Sequence, residues 1–450
     1  MLPDATSGAP IERRRFDRLF RNAATLLTGS AGASVLSIIA LALSARGLGA
    51  QQLGVLAVIQ SYVTVVDRLV TFQSWQALIK YGADAVRRDA RDELMGLIWF
   101  GAAVDAASAL LGALLGVVGA VAIGRWFGWS TETTRWAMLY ATTILFHVVG
   151  APTATLRLFD QFRMFSMQRI GVGLIRLAGI AIAFVLHGPL WAYMMVWIVA
   201  DVAGSIWLVG MAWRELRARG YPMAVPGSLR SVPARHAGLW NFIWTTNVHS
   251  SIRVASREGD TLIVGAVLGD AAAGLFKVAK QFGSAFGQLS DPFYQAIYPE
   301  MAAASSSGDR AGFTALLRRS TVMASLAAVV LWLGMVVVGA PVLRGFAGAE
   351  YGGGYPVLVW YGLAYALAFA SFAMQPAMLA LGRALASFSI MTLSTAVQFV
   401  LLVPLMHRFG VAGAGLAYVA FYVTWIVSVG AVLARDLTLI VDTPHGARTA

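Results

Sequence analysis

The 450-residue sequence has no cysteine. That excludes disulfides, thiolate metal sites and cysteine nucleophiles, and leaves the redox compartment open. Charge is scarce too. Asp, Glu, Lys and Arg make up 12% of the residues, where a soluble domain carries about 25%. So little charge cannot cover a water-facing globule. Soluble-enzyme signatures are also missing. Gly49–Gly54 and Gly269–Gly274 have the spacing of a phosphate loop, but Val55 and Leu275 follow where Lys-Ser/Thr would be needed. The six histidines never flank a glutamate at a spacing of four. No outer turn is long enough to hold a catalytic domain. The reading is of a non-enzyme with no metal and no cofactor.

What is present is hydrocarbon. The chain is 58% hydrophobic with a mean hydropathy of +0.70. Apolar runs of ~20 residues recur, each long enough to cross ~30 Å of bilayer as a helix. A segment in lipid must satisfy its own backbone, so the runs predict helices. They fall near 21–46, 53–80, 93–123, 133–158, 167–187, 189–213, 238–268, 271–299, 313–340, 355–382, 384–406 and 411–435. The first follows Arg13, Arg14, Arg15, Arg18 and Arg21 and is too long for a signal-peptide core. The fold class is therefore all-α: a polytopic membrane protein of about twelve transmembrane helices.

Net charge is +12, but its distribution speaks of topology rather than nucleic acid. With both termini cytoplasmic, 23 of the 34 Lys and Arg residues fall in cytoplasmic segments and 5 in outer turns, as the positive-inside rule requires. An odd number of helices would scramble that bias. Trp126, Trp129 and Trp136 cluster by an outer turn, as an interfacial belt does.

The chain also repeats itself. Leu48-Gly49-Ala50-Gln51-Gln52-Leu53-Gly54 parallels Leu268-Gly269-Asp270-Ala271-Ala272-Ala273-Gly274, and Gly410 and Gly415 repeat the spacing. Each pair falls at an outer turn, where glycine allows positive φ and close approach in a helical hairpin. Two six-helix lobes are expected, 1–215 and 237–450, around a central cavity and joined by the arginine- and proline-bearing cytoplasmic linker 216–236.

Six basic and six acidic residues remain inside the helices, and intramembrane charge marks function or tight pairing. The second helix places Gln60, Thr64, Asp67, Thr71 and Ser74 on one face, and the eighth places Lys277, Gln281, Ser284, Gln288, Asp291 and Gln295 on one face. Arg253, Arg257 and Asp260 share a face of the seventh. Two readings of that face stand: a cationic wall for an anionic headgroup, or an ion network that locks the helix to a neighbour. Lys280 and Lys277 are cavity candidates, and Lys277, one turn from the outer end, has the competing reading of a side chain that snorkels to the headgroups. Arg68 and Arg176 are further cavity candidates, and Arg169 reads as a topology charge. Asp67, Asp260 and Asp291 are candidate ion-coupling carboxylates. Asp105 and Asp201 are expected to pair with bases, and His147 to be a buried hydrogen-bonding residue.

Several segments resemble the polysaccharide biosynthesis (Wzx-like) flippases. They are Leu41-Ala42-Leu43-Ser44-Ala45-Arg46-Gly47-Leu48-Gly49, the run Arg257-Glu258-Gly259-Asp260-Thr261-Leu262 through Gly274-Leu275-Phe276-Lys277, Tyr298-Pro299-Glu300, Leu381-Gly382-Arg383 and Phe409-Gly410-Val411-Ala412-Gly413-Ala414. They follow the family's order over nearly the whole chain. Phe276 departs from the family's more usual Tyr, and twelve helices rather than fourteen separate the chain from lipid II flippases.

The resemblance implies membership of the multidrug/oligosaccharidyl-lipid/polysaccharide exporter superfamily, with alternating access. It implies transfer of polyprenyl-pyrophosphate-linked oligosaccharide across a bacterial inner membrane for O-antigen, exopolysaccharide or capsule synthesis. Membrane lipid, a polymerase and glycosyltransferases would be its partners, and a monomer suffices to enclose the cavity. The alternatives are a multidrug exporter of the same superfamily and a non-transporting scaffold of a glycan assembly complex.

Overall fold

The computed structural model describes residues 9–72, 74–222, 224, 227–287 and 290–439, with no strand among them. The helices are α1 (Ala9–Val70), α2 (Ser74–Arg87), α3 (Arg91–Trp126), α4 (Thr131–Ala141), α5 (Gly150–Leu158), α6 (Phe162–Val185), α7 (Leu190–Ala218), α8 (Val232–Arg235), α9 (Leu239–Leu268), α10 (Asp270–Gly287), α11 (Ser290–Ser306), α12 (Arg310–Ala347), α13 (Tyr355–Ala370), α14 (Met374–Ala380), α15 (Ala384–Phe409) and α16 (Ala412–Leu439). Among the described residues, nine segments are long and apolar enough to cross a membrane. That tally takes α1 as one segment, although Gly49 (φ 69°, ψ 171°) kinks it into two arms. It also omits α9 and α10–α11, whose polar residues lower their hydropathy. Counting these brings the crossings to twelve. The protein is a multi-pass membrane protein.

The long helices are apolar on nearly every side, as lipid-facing helices are. Leu110, Leu111, Leu114, Leu115 and Val118 of α3 are exposed, as are Leu326, Val330 and Val337 of α12. Lipid offers such side chains as good an environment as a neighbouring helix does, so small residues that allow close packing drive association. At Gly101 of α3 a Cβ would lie 2.5 Å from Leu78 of α2, and at Gly116 it would lie 2.9 Å from Ala141 of α4.

Three of the expected helices are broken. Expected helix 53–80 stops at Val70 and resumes at Ser74; 133–158 becomes α4, a short 3-10 turn (Thr142–Phe146) and α5; and 355–382 divides at Ser371–Ala373. Uniformly apolar sequence does not betray such breaks. Expected helix 271–299 is described as α10 and α11, and residues 288–289 lie outside the described residues. The fourth crossing is broken in both halves, so the repeat extends to it. Unwound backbone at membrane depth is stable only where protein buries it or it lines a cavity.

The chain packs as two compact units, Met1–Gly47 with Ile59–Val254, and Leu48–Val58 with Ala255–Ala450. These bounds differ from the expected division at 216–236: the first part of α9 packs in the first unit, and residues 48–58 pack in the second. Glycine explains the latter. At Gly54 a Cβ would lie 1.7 Å from the Asp270 carbonyl oxygen, and at Gly274 it would lie 2.1 Å from that of Ala50. Only bare backbone lets these two turns cross. In the first unit Leu94, Met95 and Leu97 of α3 are buried with Ala77 and Leu78 of α2 and Ala154 of α5. In the second, Ile297, Met301, Phe313, Met378 and Val429 form a core.

Candidate functional site

The first unit contains a polar cavity of about 540 Å³. Its walls come from both helix breaks. Asp67, Arg68, Thr71 and Phe72 surround the first, and His147, Val149 and Gly150 form the second. Helix α5 restarts after the second break because its first turn is prepared for it. Pro152 sits where no backbone donor is required. The buried Asp105 carboxylate accepts the Ala151 N–H at 2.9 Å and the Ser74 hydroxyl at 2.5 Å. A negative group there suits the positive end of the helix. At Gly150 a Cβ would stand 2.0 Å from Ser74 Oγ, so the site admits no larger residue. Asp105 therefore has hydroxyl and backbone partners. The expected pairing with a base does not occur among the described residues, because α5 presents an N–H where a base would have stood.

At the other end of α5, the Arg157 guanidinium lies 4.2 Å from the Trp75 ring and 5.6 Å from that of Phe165. Its Nε is buried without a hydrogen-bond partner, and it has no carboxylate partner among the described residues. Arg176 of α6 lies 3.9 Å above Trp197 and donates to Asp201 at 2.7 Å, so Asp201 does pair with a base. Tyr140 donates to the second Asp201 oxygen at 3.0 Å. Asp67 is buried, accepts the Thr71 hydroxyl at 2.8 Å, and has His147 Nδ1 at 3.1 Å and Arg68 Nε at 3.8 Å. Arg169 completes the lining. Four arginines thus face two aspartates around one cavity. Trp75, Trp197 and Phe165 supply flat faces against which guanidinium groups lie without losing their outward donors.

Of the expected site residues, the cavity gathers Arg68, Arg176 and Asp67. Arg169 reads in the sequence as a topology charge, and Arg157, at the end of its helix, carries no intramembrane signal there. The structure brings both to the lining, because α5 and α6 carry them along the cavity wall. The spacing of Arg169 and Arg176 on one helix face was a usable signal, and so was Gly150-Ala151-Pro152 as a helix restart.

In the second unit Lys280 and Asp260 are tightly bound to each other. The Lys280 ammonium donates to Asp260 at 2.8 Å, to Thr261 Oγ1 at 3.2 Å and to the Arg257 carbonyl. Asp260 also accepts the Thr261 N–H at 2.6 Å and the Tyr361 hydroxyl. Tyr361 stacks on Tyr418 at 4.7 Å and meets Phe276 edge-on at 5.4 Å. Lys277 is half-buried, within range of the Glu258 and Asp260 charges. The side chains of Arg253 and Asp291 lie outside the described residues. The turn glycines Gly49, Gly269 and Gly410 take φ of 69°, 86° and 58°, values that favour glycine. At Gly415 a Cβ would lie 2.7 Å from Trp360 Cβ.

Two ion-pair clusters stand at or beyond the ends of the spans, with Asp84 and Arg383 outside them. Hydrogen bonds and charge from Arg88 and then Arg87, each at 2.7 Å, hold the Asp84 carboxyl below its usual range. Two 2.7 Å bonds to Asp436 push Arg383 above its ordinary value.

The inner membrane protein YghQ of Escherichia coli (strain K12) is 27% identical over 336 residues, covering 75% of this chain and 94% of that protein. Among solved structures, an inward-facing multidrug resistance MATE family transporter of the MOP superfamily aligns with a TM-score of 0.72 at 12% identity, covering 91% of this chain and 96% of that one. The lipid II flippase MurJ, in an inward closed conformation, aligns with a TM-score of 0.70 at 13% identity, covering 92% and 89%. At such identities the likeness is one of fold. Over residues 19–305, more than half of its length, the sequence matches the polysaccharide biosynthesis proteins, and the chain belongs to that family.

Proposed function

We propose that this protein is an inner-membrane flippase that carries polyprenyl-pyrophosphate-linked oligosaccharide from the inner to the outer leaflet, for synthesis of a surface polysaccharide, by alternating access. The supporting observation is the charge of the first-unit cavity: four arginines against two aspartates, with no carboxylate on Arg157 among the described residues. An intramembrane guanidinium without a counter-charge is costly, and an arriving anion removes that cost. A diphosphate suits the site because guanidinium groups bind its oxygens through paired N–H donors. A cavity of about 540 Å³ falls in the range of small-ligand sites. Arg157, Arg68, Arg169 and Arg176 would hold the diphosphate, while Asp201 and Asp67 orient the arginines beside them. A cationic drug would meet the wrong sign here, which sets this reading ahead of multidrug export. A polymerase and glycosyltransferases would act before and after the transfer.

The test is deletion of the gene in its host, with surface polysaccharide and membrane polyprenyl-pyrophosphate-linked oligosaccharide measured together. The expected result is lost surface glycan with accumulated lipid-linked repeat units. Unchanged pools of both, in a strain without a redundant flippase, would overturn the proposal.

A further inference from the structure

The first unit has a second hollow, on the opposite faces of α5 and α7 from the arginine cavity. It is a groove of about 480 Å³ between α3, α5 and α7. Its lining is hydrocarbon, and its room comes from small residues, Ala103 and Ala106 of α3 and Ala151 and Ala212 opposite. The polar exceptions are informative. Thr155 turns its hydroxyl back to the Ala151 carbonyl at 2.9 Å. Trp99, which meets Trp213 at 5.2 Å, has a buried indole N–H with no acceptor among the described residues. The buried seam of Leu156, Leu208, Met211 and Ala212 walls the groove off from the arginines. At the end where α7 leaves the membrane, Leu229 completes the lining. There Arg214, Arg217 and Arg230 directly follow the lining residues Trp213, Leu216 and Leu229. All three are exposed and make no ion pair among the described residues.

We propose that this groove is a binding site for an anionic phospholipid, with one acyl chain in the groove and the phosphate at Arg214, Arg217 and Arg230. Three observations select this occupant. An apolar hollow among lipid-facing helices fills with a hydrocarbon chain rather than water. Unpaired arginines at its mouth attract an anionic headgroup, and basic pockets on the cytoplasmic side of helix bundles hold such lipids. The groove's volume of about 480 Å³ suits a single acyl chain, whereas the much longer prenyl tail of a carrier lipid overruns it. The bound chain lies against Ala151, Pro152 and Thr155 and so braces α5, the helix that carries Arg157 on its other face.

The purified full-length protein, stripped of lipid in detergent, is titrated separately with dioleoyl phosphatidylglycerol, dioleoyl phosphatidylcholine and undecaprenyl phosphate, with binding read by native mass spectrometry. Phosphatidylglycerol is expected to bind more tightly than phosphatidylcholine. Ala106→Phe, at an exposed position in the groove, should weaken it about tenfold. Ala107→Phe, exposed one residue along but outside the lining, should leave it unchanged. Arg214→Ala, Arg217→Ala and Arg230→Ala should each weaken it about fivefold. Phosphatidylglycerol binding that ignores Ala106→Phe overturns the proposal, and so does equal binding of phosphatidylcholine. Tighter, Ala106→Phe-sensitive binding of undecaprenyl phosphate would assign the groove to the prenyl carrier and overturn it too.

Discussion

Both units bury charge in the membrane, but they satisfy it differently. Around the first-unit cavity the Arg157 and Arg176 guanidinium groups lie against aromatic rings, and the acids occupy only part of the arginines' donor capacity. Among the described residues Arg157 has no acid partner, and Arg176 leaves its Nε unbonded. In the second unit Lys280 spends its three donors on Asp260, Thr261 and a carbonyl, and Asp260 is fully enclosed. A charge that still has unmet demand can take a ligand, whereas a saturated pair holds helices together. The difference predicts that charge removal should impair export in the first unit and folding in the second.

The largest effect is expected at Arg157. Arg157→Ala should lower surface glycan by about tenfold or more, since charge-assisted bonds to the cargo are lost, with membrane protein level unchanged. Wild-type glycan in this variant, by quantitative immunoblot against matched expression, would remove Arg157 from the site. The converse case is Lys280→Met, which strands a buried carboxylate and should destabilise the protein by about 3–5 kcal/mol. A thermal-shift assay in detergent would show it. Lys280→Met combined with Asp260→Asn should recover much of that loss. If Lys280→Met instead leaves thermal stability intact but stops export, the contrast between the units fails.

A smaller break in the second unit comes from backbone contact rather than charge. Gly54→Ala would drive a methyl group into the Asp270 carbonyl, with Cβ at 1.7 Å, and the turns would have to separate, at about 1–3 kcal/mol. Gly430→Ala, where no atom lies within 4 Å of the added Cβ, is its control. Equal thermal stability of the two variants would show that the Gly54–Gly274 crossing gives way freely.

Much of this was legible in the sequence, and particular residues show where legibility ended. Helix identity and approximate span followed from hydropathy, and the repeat followed from Gly49, Gly269 and Gly410. The three breaks did not, because runs that are apolar on every face carry no periodicity to interrupt. Only Gly150-Ala151-Pro152 marked one of them. Arg68, Arg176 and Asp67 were readable as intramembrane charge. Arg157 and Arg169 were not, since a guanidinium at a helix end satisfies the topology rule wherever its side chain reaches. Asp260 was readable as a buried acid. Its partner Lys280, on the next helix, needed the tertiary structure.

Asp105 is the subtlest case, a first-unit acid whose described partners are a hydroxyl and a backbone N–H. The contact that defines it runs to Ala151, 46 residues away, so no local pattern announces it. Asp105→Asn keeps an acceptor for that N–H but gives up the charge at the start of α5, a change of about 1 kcal/mol. Thermal stability should therefore fall only slightly. Export should fall further than stability does, because α5 carries Arg157 at its other end and the cavity requires that side chain in place. Asp105→Ala removes the acceptor as well and should lower both. The informative outcome is the ratio. If Asp105→Asn lowers export only in proportion to protein level, then α5 is merely packed by Asp105. If export falls while the level holds, the cap positions the arginine.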